Sequence, residues 1–168
     1  MKVKKARHGF KPYRFGLFWK PWTIVSGVIF GEEAKYYLPY PDNYDWNKGG
    51  GLSFSMFTNH KNSVMWGWRY SQLYNQFEFT AYIHDNGKVK KEDKNYFVAI
   101  PGEPVTIQIT IHSSHVAYTF KSGTDSRTFS IPISFKPGRI ARRIGAWFGG
   151  NNAAPKDLSF ILYQNTIE

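Results

Sequence analysis

The sequence predicts an all-β protein, an antiparallel β-sandwich, and three observations carry that expectation. Aromatic residues make up 18% of the 168-residue chain, and with β-branched residues they are the types that fit a pleated, half-buried surface. Apolar and polar residues alternate through FEFTAYIH, where Phe77, Phe79, Ala81 and Ile83 share a face, and through VTIQITIH, where Val105, Ile107, Ile109 and Ile111 share a face. That is the two-residue period of a strand. Clusters of Gly, Pro, Asn and Asp interrupt the chain at short intervals, the spacing of a sandwich or barrel.

In order along the chain, strands are expected at residues 23–30, 35–38, 52–57, 63–70, 77–84, 96–100, 105–112, 115–121, 127–135, 139–147 and 158–164, with no strong helix. Asn86-Gly87 supplies the positive φ angles of a type I′ hairpin turn. Pro101-Gly102, Ser122-Gly123 and Pro137-Gly138 mark further turns. Residues 88–94 read as a solvated hairpin end. Gly49-Gly50-Gly51 reads as a flexible turn, because it does not join a strand to a helix as a phosphate-binding loop does.

A chain of this length with 42% hydrophobic residues buries one core and needs one globular domain. Its net charge of +10 is unevenly placed. Residues 1–20 hold Lys2, Lys4, Lys5, Arg7, Lys11, Arg14 and Lys20 with no acid, and residues 136–143 hold Lys136, Arg139, Arg142 and Arg143. The remainder is close to neutral. Such asymmetry points to an acidic partner, whether nucleic acid, a membrane surface or a protein, or to a solvated, solubilising tail.

Residues 1–21 are accordingly set apart as a basic, aromatic arm and residues 22–168 as the sandwich. The arm interleaves its cations with Phe10, Tyr13, Phe15, Phe18 and Trp19. That much apolar surface is expected to pack on its own domain or on a neighbouring subunit. Lys4, Lys5, Arg7, Phe10, Tyr13, Arg14, Phe18 and Trp19 are the candidate partner-binding residues.

Several functional classes have no footing in the residues. The chain has no cysteine, so disulfides and thiolate metal sites are excluded. The basic N-terminus lacks the apolar stretch of a secretory signal, and no apolar run reaches the roughly 20 residues that cross a bilayer. A soluble protein, without a membrane span, is expected. Nucleophile elbows, P-loops and dinucleotide fingerprints are missing. Acids are scarce and fall mainly in loops; Glu78 alone sits mid-strand, which leaves no carboxylate pair for glycoside hydrolysis. His112 and His115 flank a Ser-Ser turn, and His84 on a polar strand face could join them in a metal or proton-transfer site; strand-end histidines without a role are the simpler reading. No catalytic, metal or cofactor residue is assigned, and no enzyme is expected.

Trp66, Trp68 and Tyr70 share one strand face. If that face is open they form a platform for stacking on sugars or bases; if closed, a stripe of core. They are candidate glycan-binding residues, with Asn151 and Asn152 of a late loop.

Two stretches carry a family resemblance. Asn59 to Val64 leading into Gly67-Trp68-Arg69, and residues 143–157 with the run RIGAWFGGNNAAPKD, resemble small proteins encoded by bacteriophages and bacteria of the gut. The resemblance spans about residues 52–161 and implies a concanavalin A-like or jelly-roll sandwich, similar in strand plan to lectins and alginate-lyase-type polysaccharide lyases. Trp147-Phe148-Gly149-Gly150 stands where such lyases carry a Tyr-Phe-Lys-Ala-Gly motif, but the lysine is Gly149, so the lyase activity does not follow. The FGGN-x-AP run then reads as a structural turn.

With the arm and the lack of catalytic groups, this favours a non-enzymatic structural component of a phage particle: a head-decorating, fibre or tail-associated protein, in the virion or in host cytoplasm during assembly. Its expected partners are other protein subunits such as capsid or tail proteins. A carbohydrate-binding, lectin-like module is the alternative.

Overall fold

The structure, a computed structural model, describes residues 1–11, 16–20, 22–55, 57–149 and 152–167. Two antiparallel sheets face each other. The first runs in the order β11 (Asp125–Pro132), β10 (His115–Ser122), β9 (Pro104–Ile111), β3 (Thr23–Ile29), β14 (Ile161–Ile167). The second runs β2 (Leu17–Trp19), β12 (Ile140–Ile144), β4 (Asn47–Ser53), β5 (Ser63–Ser71), β6 (Gln76–Asp85), β7 (Lys88–Lys91), and β8 (Phe97–Ala99) also pairs with β6. A short ladder joins β1 (Lys2–Val3) to β13 (Leu158–Ser159). Two single-turn 3₁₀ helices, Glu32–Ala34 and Asp42–Tyr44, lie in the connection from β3 to β4. The all-β antiparallel sandwich read from the sequence is the fold found.

The two sheets bury differently, and the residue pattern follows. In β9, Val105, Ile107, Ile109 and Ile111 are buried while Thr106 and Gln108 face solvent, the mark of a sheet covered on one face. In β5, every residue from Ser63 to Trp68 is buried. Val64, Trp66 and Trp68 face the other sheet, and Met65 joins Trp46, Tyr82 and Ile144 in a second apolar cluster on the outer face.

Between the sheets the core is aromatic. Phe30 lies 4.5 Å from Trp68, 4.8 Å from Phe77 and 4.6 Å from Phe160, centre to centre. The Tyr118 hydroxyl crosses from β10 to donate a 2.9 Å hydrogen bond to the Met65 carbonyl. Trp66 and Trp68 are 1% and 0% exposed, so the closed reading of their face is correct and they are withdrawn as glycan-binding residues.

Of the two packings expected for the N-terminal segment, that on its own domain is found; the nomination of Phe10 for a partner and two further expectations are corrected. The N-terminal segment is part of the sandwich: Val3 and Phe10 are core residues, β1 pairs with β13 and β2 with β12. Phe10 is therefore not available to a partner. Gly49-Gly50-Gly51 belongs to strand β4 and is not a flexible turn. A Cβ at Gly49 would strike the Trp66 ring, and one at Gly51, where φ is +156°, would strike the Val64 carbonyl. Residues 35–38 are not a strand, and Tyr36 instead turns its ring edge-on to Phe148 in the core.

The Asn86-Gly87 turn forms as expected, with φ of 51° and 83°. Its neighbour Asp85 does more than begin a turn. The carboxylate accepts from the Ser134 and Phe135 amides at 2.8 and 3.1 Å and pairs with Lys90 at 2.6 Å. Burial pushes its pKa up, but Lys90 and the two amides outweigh that and hold it below the usual carboxylate value.

Because Phe10 packs against Phe160 at 4.8 Å and Trp68 at 6.3 Å, Phe10→Ala should destabilise the fold by about 3–5 kcal/mol in urea unfolding. An unchanged midpoint would mean that the N-terminal segment is a detachable strap.

Candidate functional site

Strand alternation places a regular array of side chains on the outer face of the larger sheet. Because Val64, Trp66 and Trp68 face the core, the residues between them face out. The register then aligns Arg142, Ser53, Ser63 and His84 in one row and Ile144, Gly51, Met65 and Tyr82 in the next, with Lys48, Gly67 and Thr80 beyond.

Lys48, Met65, His84 and Ile144 of these rows line a groove of about 530 Å³. Met65 and Ile144 belong to its apolar lining, together with Phe10 and Trp147; Lys11, Lys48, Asn59, His60 and His84 are its polar lining. Trp147 exchanges two backbone hydrogen bonds with Lys48, at 2.8 and 2.7 Å, and stacks nearly parallel on His8 at 5.1 Å. The His8 ring is fixed in turn, since its Nδ1 donates to the Phe148 carbonyl at 2.8 Å. The Trp147 ring is thus held in place yet 48% exposed.

His84 is almost fully buried, and burial, then the charges of His60 and Lys48, lower its pKa to about 4. Ser63 Oγ donates its one proton to the Asn59 carbonyl at 2.6 Å. The 3.0 Å contact between Ser63 Oγ and His84 Nδ1 therefore has the ring nitrogen as donor. His84 lines the groove and is neutral at pH 7, its ring also bonded to the Asn59 backbone.

Lys48 Nζ donates to the Trp46 carbonyl at 2.9 Å and to the Gly149 carbonyl at 3.4 Å, and lies 4.8 Å from the Tyr82 ring centre. Desolvation lowers its pKa. Arg142 Nη2 donates to Asn59 Oδ1 and steadies that side chain.

A second pocket of about 450 Å³, with Tyr36, Tyr44, Tyr70, Tyr74 and Tyr96 in its lining, surrounds Arg69 and Glu78. Those two form a 2.6 Å ion pair, and the guanidinium lies 4.2 Å from the Trp46 ring. Glu78, the mid-strand acid, is committed to this pair.

The sequence-nominated residues scatter. Tyr70 is half-buried and donates to Asn75 Oδ1 at 2.9 Å in the second pocket. Asn152 is half-buried, and Gly149 has φ +65°, where a Cβ would meet the Asn152 carbonyl, so Gly149 is a close-packed, positive-φ glycine as the FGGN-x-AP reading expected. Asn151, Tyr13 and Arg14 lie outside the described residues. Lys4 pairs with Asp157 at 2.7 Å and the Lys5 amide donates to the same carboxylate; Arg7 is exposed, and Phe18 lies under the Arg143 guanidinium at 5.0 Å. Trp19 is exposed on the edge strand β2.

His112 and His115 stack at 4.3 Å on the turn between β9 and β10, on the sheet opposite to His84, so the three do not meet. Among the described residues no group of three or more His, Asp or Glu side chains could hold a metal ion. No helix of the described residues is long and apolar enough to cross a membrane. Sequence reasoning missed Trp147, Lys48 and His8 as one site, because nothing in local spacing joins positions 8, 48 and 147.

No protein-family model matches the chain, and no curated protein sequence matches it. Among solved structures it is similar to part of the xylan beta-1,4-xylosidase of Bacillus halodurans C-125, with a TM-score of 0.50 and 9% identity over 84% of this chain and 27% of the xylosidase. The chain thus spans little more than a quarter of that enzyme. It is also similar to a functionally unknown protein from Saccharomyces cerevisiae (TM-score 0.49, 10% identity, 100% of this chain and 74% of that one). A third similar structure is CG-16, a homodimeric agglutinin from chicken liver (TM-score 0.43, 10% identity, 89% of this chain and 100% of that one). Likeness at such identity concerns the fold and not the chemistry. None of these three is a bacteriophage protein, so the phage part of the sequence resemblance gains no support from them.

The lowered pKa of His84 makes stability depend on pH with a definite sign. Its folded value of about 4 lies below the ordinary 6.5, so the unfolded chain takes up this proton first as pH falls. The His84 contribution is complete above about pH 6.5 and is lost progressively toward about pH 4. His84→Gln should therefore flatten the fall in urea midpoint between about pH 7 and about pH 4.5; equal slopes in the two proteins would refute the assignment.

Proposed function

We propose that this chain is a non-enzymatic carbohydrate-binding module whose site is the groove on the outer face of the larger sheet. The observation that carries the reading is Trp147: a large aromatic face, exposed yet immobilised by His8, beside hydrogen-bonding groups of both kinds. Sugars present an apolar C–H face and a rim of hydroxyls, and a concave site with one aromatic wall and a few fixed polar groups complements both. Lys48 supplies a donor, and the Asn59 and His84 side chains line the same groove. The groove volume of about 530 Å³ suits a short oligosaccharide segment. In support of a binding role, Glu78 is engaged by Arg69, and no Asp or Glu lines the groove among the described residues.

A second reading, docking to another protein subunit, is favoured by one observation. Strand β2 is a sheet edge, and Trp19 there, 63% exposed, lies opposite exposed Ile140 of β12. An apolar edge of this sort accepts a further strand. A phage-particle role rests on the sequence resemblance together with this edge.

Two substitutions separate the readings. Trp147→Ala should weaken binding to the glycans that the protein selects from an array by about tenfold or more, worth ~1.4 kcal/mol, with an unchanged urea midpoint; full retention of binding would remove the groove as the site. Trp19→Ser should leave glycan binding intact. It should abolish any self-association seen by sedimentation, and a protein that is monomeric with either residue at the highest soluble concentration would count against self-docking through β2.

A further inference from the structure

The two basic stretches of the sequence, more than a hundred residues apart, meet in the fold. Strand β2 pairs with β12, the Arg143 amide donates to the Gly16 carbonyl, and the Lys20 amide to the Arg139 carbonyl. Their junction borders the groove. Lys11 lines it from the N-terminal segment, and Arg142 of β12 holds Asn59 at its margin.

The ionisable groups that line the groove are Lys11, Lys48, His60 and His84, and among the described residues no carboxylate lines it. Several acids elsewhere have partners. Asp85 binds Lys90, Glu78 binds Arg69, Asp157 binds Lys4, Glu32 binds Lys35, and Asp93 accepts from the Trp46 indole and pairs with Lys91. Lys48 feels the charge of Asp45 but has no carboxylate within ion-pair distance among the described residues; its ammonium rests on two backbone carbonyls, with one N–H remaining. Half-buried beside the Tyr82 ring, that ammonium is partly withdrawn from water. An anion placed against it would interact more strongly than at an open surface.

We infer that the ligand of this groove is an acidic glycan, a saccharide bearing a carboxylate or sulfate group that pairs with Lys48, while its sugar ring lies on Trp147. The inference rests on the carbohydrate-binding reading given above and narrows it to one chemical class. It also accounts for the uneven charge of the chain: the exposed Lys20 and Arg139, beside the ends of β2 and β12, extend the attraction for a polyanionic saccharide beyond the groove, and such attraction weakens with salt.

The test is an array that carries each saccharide backbone in neutral, uronate and sulfated form, followed by calorimetry on the best acidic member and its neutral counterpart. The acidic form should bind about tenfold or more tightly, the effect of one charge-assisted contact. Lys48→Gln should bring it to the level of the neutral form without changing neutral binding. Lys11→Ala, at an exposed position on the groove wall, is the companion variant should the half-buried Lys48→Gln fail to fold, and should reduce the acidic preference in part.

Equal affinity for acidic and neutral forms would overturn the inference and leave the carbohydrate reading standing. Absence of binding to every form would overturn both. An oligonucleotide of matched charge that binds as tightly as the acidic saccharide, and is lost equally in Lys48→Gln, would overturn the glycan class in favour of nucleic acid.

Discussion

The indole of Trp68 lies in ring contact with Phe10, Phe30, Tyr36, Phe77, Phe148 and Phe160, drawn from six separate parts of the chain. Through it the N-terminal segment, both sheets and the turn beside Trp147 share one packing constraint. Close-packed interiors transmit displacement, because few voids exist to absorb it. The groove wall is therefore tied to the core: Phe148 packs on Trp68 while its neighbour Trp147 faces solvent. The rigidity a shallow binding site needs comes from the residue directly behind it in sequence.

The same close packing shapes strand β4. It carries three successive glycines in a row where the partner strand holds Trp66, and side chains at Gly49 or Gly51 would collide with that strand. Absence of side chains thus lets the Trp66 ring and the β5 backbone approach β4 closely. Entropy argues against glycine in a strand, and here close approach of neighbouring backbone outweighs that cost. His8 and Lys48 then fix Trp147 from two sides, one by stacking and one by backbone pairing.

Charge follows a complementary logic. Buried acids at Asp85 and Glu78 are each met by a cation and by further hydrogen bonds, as low-dielectric surroundings require. The groove has cations and a neutral, desolvated imidazole in place of such pairs. A site lined by cations, with no carboxylate in its lining among the described residues and one aromatic face, differs from a neutral cleft in what it attracts. The fold itself leaves that chemistry open.

The amino-acid sequence by itself determined the fold class, because alternation in β6 and β9 and the Asn86-Gly87 turn are local signals that any strand register preserves. It also located the uneven charge and made Trp66 and Trp68 a single stripe. Only the tertiary structure decided that this stripe faces inward, since a period of two names the face but not which face meets the other sheet. Val3 and Phe10 belong to the core for the same reason: the partners of Phe10 stand at positions 68 and 160. The triple glycine became a strand through contacts with β5, and the groove joined positions 8, 48, 84 and 147. Pairing between strands distant in sequence creates such a site, and composition or spacing along one strand carries no record of its neighbours.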